Sequence, residues 1–154
     1  LVKYVECNNS LEMELGLLPG ERTIPPALKE AFEQTILPNV ADQAKNNLFN
    51  TLWTVISKAD NKMVGDICIV GEPNAAGEIE IGYGTYDEYQ GNGFMSEAVG
   101  GIISWAEKHP EISAVNASTE KSNIPSFKVL EKNGFVKVGE TDTLLNWSRR
   151  IQKM

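Results

Sequence analysis

The stretch Tyr89–Ala98, YQGNGFMSEA, separates a strand-like segment from a helix-like one, and its interpretation decides the fold. Gly91 and Gly93 lie just before an apolar series that begins at Met95 and recurs at helical spacing. The first amides of a helix have no partners within the helix, and the helix dipole adds positive charge there. Because glycine lets an anion approach the main chain closely, the stretch predicts a backbone cradle for phosphate; an ordinary glycine turn is the alternative.

The composition favours a globular domain and argues against several other classes of protein. The chain has 154 residues, 42% of them apolar, which is enough for one core and too few for two. A net charge of -7 disfavours nucleic-acid binding, and no apolar run reaches the length of a membrane helix. Cys7, Cys68 and His109 are too few and too far apart to predict a disulfide framework or a metal site. The cysteine usage, with no recognisable secretory signal, predicts a cytoplasmic protein.

The periodicity on either side of the glycine stretch predicts an α+β domain. The first fifty residues have helical patterns, with a cap at Ser10, a stop at Pro19 and a second helix closed by Pro38. Three strands follow, TLWTVISK, MVGDICIV and EIEIGYGTY, and their short turns imply an antiparallel meander. After the glycines come a helix, the strand ISAVNAST, a short helix in NIPSFKVLEKNGF and a closing strand pair. The order predicts a mixed, mostly antiparallel, twisted sheet with flanking helices.

Three phosphate-binding motifs compete for the glycine stretch. A Walker loop requires GxxxxGK[ST], and the chain contains no Gly-Lys pair. A Rossmann fingerprint requires a third glycine where this chain has Ser96. It also belongs to a βαβ unit with parallel strands, whereas antiparallel hairpins are predicted before the glycine stretch. The segment QGNGFM, Gln90 to Met95, instead resembles the acyl-CoA loop of the GNAT superfamily of N-acetyltransferases, Arg/Gln-x-x-Gly-x-Gly/Ala. Met95 departs from that pattern, and it either crowds the pyrophosphate or turns into the core.

A second GNAT signature lies downstream and strengthens the resemblance. Asn123 and Ser126 form N-x-x-S, and KNGF at 132–135 matches K-x-G-F. The resemblance extends from about Trp53 to Arg149, and the branch it looks most like contains the ribosomal-protein alanine N-acetyltransferases. It implies a GNAT fold in which the third and fourth strands, fourth and fifth in the family's order, splay apart to leave a V-shaped opening.

The resemblance also implies a domain plan. Residues 1–154 would form a single acetyltransferase domain, with a helical N-terminal part at 1–50 and the sheet and CoA-binding core at 51–154.

The resemblance assigns the residues that would bind acetyl-CoA. The pantetheine arm would lie in the V, along the backbone of the third strand, and the pyrophosphate would lie on the glycine loop. Asn123 would hold pantetheine, although an asparagine before Pro125 is also a helix cap. The predicted cofactor-binding residues are Gly82, Tyr83, Gly84, Gln90, Gly91, Asn92, Gly93, Phe94, Met95, Asn123 and Ser126, and no metal is implied.

The resemblance specifies the catalytic residues less completely. Acetyl transfer needs a base for the amine, a donor that polarises the thioester carbonyl and a proton for the leaving thiolate. Glu80 is the predicted base, because some family members use a glutamate on that strand; the alternation EIEI fits a solvated sheet face equally well. Tyr83 and Tyr86 are lesser candidates. Many members have a tyrosine where this chain has Leu130, which leaves Ser126 as a candidate donor to the thiolate.

The sequence therefore predicts an N-acetyltransferase that moves an acetyl group from acetyl-CoA to a primary amine by direct transfer in a ternary complex. The amine would be a small cation or a peptide or protein amine, and the enzyme a monomer or homodimer with no nucleic-acid or membrane partner. A non-catalytic acyl-CoA-binding module is one alternative. A nucleotide-binding domain with a Rossmann-like loop is another.

Overall fold

The computed structural model describes residues 10–20, 29–30, 32–41, 49 and 52–151, and a six-stranded sheet forms its centre. The N-terminal part contains helix α1 (Ser10–Glu14), a π-helical turn (Phe32–Ile36) and helix α2 (Leu37–Ala41). The strands are β1 (Leu52–Ser57), β2 (Lys62–Ile69), β3 (Glu78–Thr85), β4 (Ala114–Glu120), β5 (Val136–Glu140) and β6 (Leu144–Arg150). Helix α3 (Phe94–Glu107) connects β3 to β4, and helix α4 (Ile124–Lys132) connects β4 to β5.

The sheet has the strand order β1-β2-β3-β4-β6-β5. Short turns join β1 to β2 and β2 to β3, and these neighbours pair antiparallel, as do β4 with β6 and β5 with β6. The connection through α3 makes β3 and β4 parallel. The predicted α+β class and mixed, mostly antiparallel sheet are therefore confirmed.

The parallel pair β3–β4 separates halfway along its length. Pairing runs from Glu78↔Ala114 to Ile81↔Ala117 and then stops. Strand β3 continues to Thr85 and β4 to Glu120, so both strands extend past the last pair. This separation is the V that the GNAT resemblance implies, and it leaves one edge of β3 without a strand partner beyond Ile81.

Helix α3 packs its apolar face on the sheet beside the V. Its buried residues recur at the predicted helical spacing: Met95, Val99, Ile102, Ile103 and Ala106. They join buried residues of β2, β3 and β4 in one core, which places the first turn of α3 at the carboxyl end of β3.

The end of α4 is held against the start of α3. The Asn133 side-chain amide donates to the Ser96 carbonyl oxygen at 3.0 Å and to the Val129 carbonyl oxygen at 2.9 Å. A Cβ at Gly100 would lie 3.1 Å from Asn133 Oδ1, so a glycine in α3 allows this close approach. The two helices thereby form opposite walls of the opening beside β3.

The N-terminal part differs from the prediction in detail. Ser10 is itself helical in α1 rather than a cap that precedes the helix, and α1 ends at Glu14. Pro38 was predicted to close a helix but is the second residue of α2. Pro38 comes just after the π-helical turn, where the backbone hydrogen-bonding pattern already departs from that of an α-helix, so the helical conformation continues through the proline. Of the N-terminal part predicted to be helical, residues 1–9, 21–28, 31, 42–48 and 50 lie outside the described residues.

Candidate functional site

A cleft of about 450 Å³ opens where β3 and β4 separate. Its volume lies within the range of roughly 300 to 1,000 Å³ that is usual for small-molecule sites. The end of β3 and the loop into α3 form one wall, and α4 forms the other. The described lining residues are Tyr83, Gly84, Thr85, Tyr89, Gln90, Gly91, Gly93, Phe94, Met95, Ser96, Asn123, Ile124, Pro125, Ser126, Lys128, Val129 and Lys132.

The charge of this lining is opposite to that of the chain. None of the described lining residues is Asp or Glu, although the chain contains 21 of them, and two are lysines. Walls of one charge sign raise the local concentration of ligands of the opposite sign. The cleft therefore suits an anionic ligand in a protein whose net charge is -7.

The glycine loop presents main-chain amides to this cleft. Gly91 and Gly93 have φ values of 80° and 78°, in the left-handed region that glycine adopts without strain. A Cβ on either residue would meet no atom within 4 Å, so conformation rather than crowding requires glycine here. Gly93 is the N-cap residue of α3 and has no side chain that could accept a hydrogen bond from the first-turn amides.

Side chains of the loop brace its conformation. The Asn92 amide donates to the Tyr89 carbonyl at 3.1 Å and to the Gln90 carbonyl at 3.3 Å. The Gln90 amide donates to the Thr85 carbonyl at 3.4 Å, which ties the loop to the end of β3. Asn92 does not line the cleft, so its predicted cofactor contact could come only from its main chain.

Met95, the departure from the family motif, turns into the core. The residue is 5% exposed, although it still borders the cleft. A Cβ at Gly65 on β2 would lie 3.1 Å from Met95 Cε and 2.6 Å from the Gly84 carbonyl oxygen. Gly65 thus provides the room for the methionine side chain, which leaves the amides of the loop accessible.

Asn123 starts α4 at the mouth of the V. Its Oδ1 accepts from the Ser126 amide at 3.3 Å, so the cap predicted from N-x-P is present. Gly134, with a φ of 78°, ends the helix in the left-handed conformation, and the Phe135 amide donates to the Leu130 carbonyl at 3.0 Å. The side-chain amide of Asn123 is a separate donor that remains for a ligand.

A hydrogen-bonded pair joins the two walls across the V. The Tyr83 hydroxyl donates to the Ser126 carbonyl oxygen at 2.7 Å, and the Ser126 hydroxyl donates to Tyr83 Oη at 3.2 Å. Burial raises the pKa of Tyr83, and the hydrogen bond from Ser126 partly opposes that rise. The phenol therefore keeps its proton throughout the neutral pH range.

The predicted base lies outside the cleft lining. Glu80 is exposed, and its position on β3 faces away from Ile79 and Ile81, which are buried against α3. Its strand partner on β4 is Asn116. The structure thus places Glu80 on the opposite face of the sheet, near the base of the V.

Two other side chains are poorly placed for chemistry. Leu130, which occupies the family's tyrosine position, is 0% exposed in the core. Burial and the neighbouring Asp66 charge raise the pKa of the Cys68 thiol to about 11. Because the thiolate is the reactive form, this cysteine is a weak nucleophile at neutral pH.

Sequence reasoning missed Lys128 and Lys132. Their spacing from Ile124, by four and eight residues on a helix, places all three on one face, and all three line the cleft. The sequence shows this helical spacing. It does not show that this face of α4 lies beside the glycine loop.

The described residues contain no group of three or more His, Cys, Asp and Glu side chains arranged to hold a metal ion. Within the ranges that the structure describes, every helix is too short or too polar to cross a membrane.

Comparison with known proteins identifies the family. Residues 12–136 match the family model described as an acetyltransferase (GNAT) domain, and the chain belongs to this family. The chain is 34% identical over 84 residues to the uncharacterized N-acetyltransferase YjdG of Bacillus subtilis, covering 54% of this chain and 50% of that protein. It is 30% identical over 87 residues to the uncharacterized N-acetyltransferase p20 of Bacillus licheniformis, covering 56% and 49%. The chain thus spans about half the length of the curated relatives it matches.

Solved structures share the fold. The ribosomal-protein-S5-alanine acetyltransferase of Vibrio fischeri superposes with a TM-score of 0.68 at 25% identity, covering 94% of this chain and 85% of that one. Mycobacterium smegmatis RimJ, solved in complex with CoA disulfide, superposes with a TM-score of 0.56 at 21% identity, covering 68% and 55%. The predicted GNAT fold and its likeness to the ribosomal-protein acetyltransferases are confirmed.

Proposed function

We propose that the chain is an acetyl-CoA-dependent N-acetyltransferase that transfers an acetyl group directly to a primary amine. The observation that carries the proposal is the carboxylate-free cleft at the V, bordered by the left-handed glycine loop at the start of α3. Family membership and neighbours solved with CoA support the same ligand.

The lining residues suggest how acetyl-CoA is held. The amides from Gly91 to Met95 would bind the pyrophosphate, because helix-start amides and the helix dipole favour anions. Beyond Ile81, the free edge of β3 at Gly82 to Gly84 would pair with the amides of pantetheine. Asn123 would donate to the same arm, with Ser126 beside it.

The proposed chemistry needs three polar functions around the V. A main-chain amide of β3 would polarise the thioester carbonyl. Glu80, at the base of the V and open to solvent, would accept the proton of the incoming ammonium, through water. The Tyr83 hydroxyl would break its bond to the Ser126 carbonyl oxygen and give its proton to the sulfur of the leaving thiolate, in place of the tyrosine that Leu130 replaces. The Ser126 hydroxyl would donate to the phenolate oxygen until water returns the proton.

The acceptor class follows from weaker observations. A net charge of -7 favours a cationic amine over an acidic one. The Vibrio fischeri neighbour is by name an acetyltransferase of a ribosomal-protein alanine, which supports a peptide or protein amine; a small cationic amine is the other class. We propose a cytoplasmic monomer or homodimer.

A non-catalytic acyl-CoA-binding module is the second candidate. It is favoured by the burial of Leu130 at the tyrosine position and by the absence of Glu80 from the described cleft lining. Both candidates predict the same cofactor complex, and only turnover separates them.

The first experiment is calorimetric titration of the purified chain with acetyl-CoA, CoA, ATP and NAD. The acetyltransferase and the non-catalytic acyl-CoA-binding module both predict binding of acetyl-CoA and CoA but not of ATP or NAD. If neither acetyl-CoA nor CoA bound, both proposals would be rejected. Gly93→Pro removes an amide and cannot adopt a φ of 78°, so it should abolish binding, whereas Gly101→Ala on the exposed side of α3 should retain it.

The second experiment is a thiol-release assay with a panel of peptide and small amines. Glu80→Gln should lower kcat by about a hundredfold with little change in acetyl-CoA affinity, because the base touches the amine rather than the cofactor. Unchanged turnover would remove Glu80 as the base. Binding without turnover on any amine would favour the non-catalytic module.

A further inference from the structure

The narrow end of the V contains a buried threonine, Thr119 of β4, that the proposed chemistry does not use. Pairing between β3 and β4 ends at Ile81↔Ala117, so Tyr83 and Thr119 are the next residues of the two strands on the same face of the sheet. Paired strands lie roughly 4.8 Å apart, and the gap is still narrow two residues past the last pair. An acyl group at this end of the V would lie between Tyr83 and Thr119.

The main chain of Tyr83 indicates where the carbonyl of that acyl group would lie. Successive residues of a strand direct their main-chain groups to opposite neighbouring strands. The Glu80 carbonyl oxygen accepts from the Val70 amide, just past the end of β2, at 2.8 Å. Residues of even number on β3 therefore bond toward β2, and the Tyr83 amide is directed into the V. A thioester carbonyl on this amide would direct its acyl chain across the gap, toward Thr119.

Thr119 is held in place from behind. It is 4% exposed, and its hydroxyl oxygen accepts from the Trp147 indole at 3.0 Å. Strand β6, which carries Trp147, lies on the side of β4 away from β3, so this bond leaves the apolar part of the threonine toward the V. The Trp147 ring stacks on Phe127 of α4, with ring centroids 6.0 Å apart. These three residues are not among the described residues that line the cleft, so the cleft stops in front of them.

An acyl chain longer than acetyl has two directions in which to extend, and both lower its affinity. Toward β4 it presses on Thr119, which cannot move aside because the rings behind it are closely packed. Toward the opposite face of the sheet it occupies the side where Glu80 lies, and its carbonyl leaves the Tyr83 amide.

We propose that Thr119, supported by Trp147 and Phe127, ends the acyl pocket and makes the protein select acetyl over longer acyl groups. The inference rests on the proposed function, since it assumes that the cleft binds acetyl-CoA. It adds a residue that determines specificity for the acyl donor and that makes no contact with the reacting thiolate.

The test is calorimetric titration with acetyl-CoA, propionyl-CoA and butyryl-CoA. The unaltered protein should bind propionyl-CoA about tenfold more weakly than acetyl-CoA, and butyryl-CoA more weakly again, because one methylene in a fitted pocket changes binding by about that factor. Thr119→Ser removes one methyl group and keeps a hydroxyl for Trp147. It should bind propionyl-CoA within about threefold of acetyl-CoA, since the space of one methyl group becomes free.

Matched variants separate the size of the side chain from other effects. Thr119→Val keeps the branched shape without the hydroxyl and should keep the preference for acetyl-CoA. Thr54→Ser makes the same chemical change on β1, two strands away from β3, and should also keep the preference. Thermal denaturation without ligand checks that each variant folds.

Four results would overturn the inference, and they differ in what they leave standing. Equal affinity of the unaltered protein for the three thioesters, or an unchanged preference in a folded Thr119→Ser variant, would reject Thr119 as the end of the acyl pocket but leave acetyl-CoA binding intact. Loss of the preference in Thr119→Val would assign selectivity to the hydrogen bond with Trp147 rather than to size. No binding of any thioester by the unaltered protein would reject the proposed function as well.

Discussion

Replacing Tyr83 with phenylalanine removes one oxygen atom from the centre of the candidate site. The change deletes the 2.7 Å bond to the Ser126 carbonyl and the 3.2 Å bond from the Ser126 hydroxyl, and it keeps the ring. Each such bond contributes about 1 kcal/mol net, and the second is long, so the loss of stability should be about 1 to 2 kcal/mol. For a chain of this length, that lowers Tm by about 2 to 8 °C.

The effect on turnover should be much larger than the effect on stability. If the phenol donates to the leaving thiolate, Tyr83→Phe should lower kcat by about a hundredfold or more, the usual contribution of a general acid. Acetyl-CoA affinity should change by no more than about threefold, because the cofactor contacts proposed for this strand are made by its main chain.

The assay is thiol release at saturating acetyl-CoA, with an amine that the unaltered protein acetylates, paired with thermal denaturation. Tyr86→Phe is the matched control: it also removes a phenolic bond, to Asp66 at 3.3 Å, but outside the cleft lining. Turnover by Tyr83→Phe within twofold of the unaltered protein, at a temperature where both are folded, would refute the proton-donor role. The pair would then only tie α4 to β3.

Three further substitutions test other parts of the structure. Asn123→Ala should lower the free energy of unfolding by about 1 kcal/mol because the cap is lost, whereas Asn123→Ser keeps an acceptor and should not. Weaker acetyl-CoA binding in both variants would show that the side-chain amide of Asn123 binds the cofactor. Normal acetyl-CoA binding by the serine variant would show that Asn123 acts only as a helix cap. Leu130→Tyr should destabilise the fold by about 2 to 4 kcal/mol without raising kcat, because the position is fully buried; a stable, faster variant in denaturation and turnover assays would contradict this. Burial raises the pKa of the Cys68 thiol from its ordinary 9.0 to about 11, so its stabilising contribution is present below pH 9 and lost as pH rises through 11. Denaturant titrations across this range should show a loss of about 2 to 3 kcal/mol that Cys68→Ala lacks, and identical slopes would contradict the shift.

Much of the fold could be predicted because its signals are local. Strand alternation, turn residues and the helical spacing after Met95 each act over a few residues, and together they define the element order from β1 to β6. The crossover through α3 then implies a parallel β3–β4 pair. The N-terminal third was less predictable, because a proline usually ends a helix, whereas at Pro38 the helical conformation continues from the π-helical turn into α2.

The glycine loop and the start of α4 were also predictable, because backbone conformation dictates their residue types. A φ near 80° at Gly91 and Gly93 favours glycine whatever surrounds them, and asparagine is a preferred cap before a helix that has a proline in its first turn, as at Asn123. These two segments carry the family motifs.

The sequence by itself determined the order of the elements, the glycine loop and the cap, because those features depend on neighbouring residues. Only the tertiary structure decided that Tyr83 meets Ser126, 43 residues away, that Met95 turns into the core and that Lys128 and Lys132 face the loop. Each of these depends on where β3 and β4 stop pairing and on how α4 packs beside α3. Such long-range geometry follows from the packing of the whole core, and no local pattern of residues encodes it.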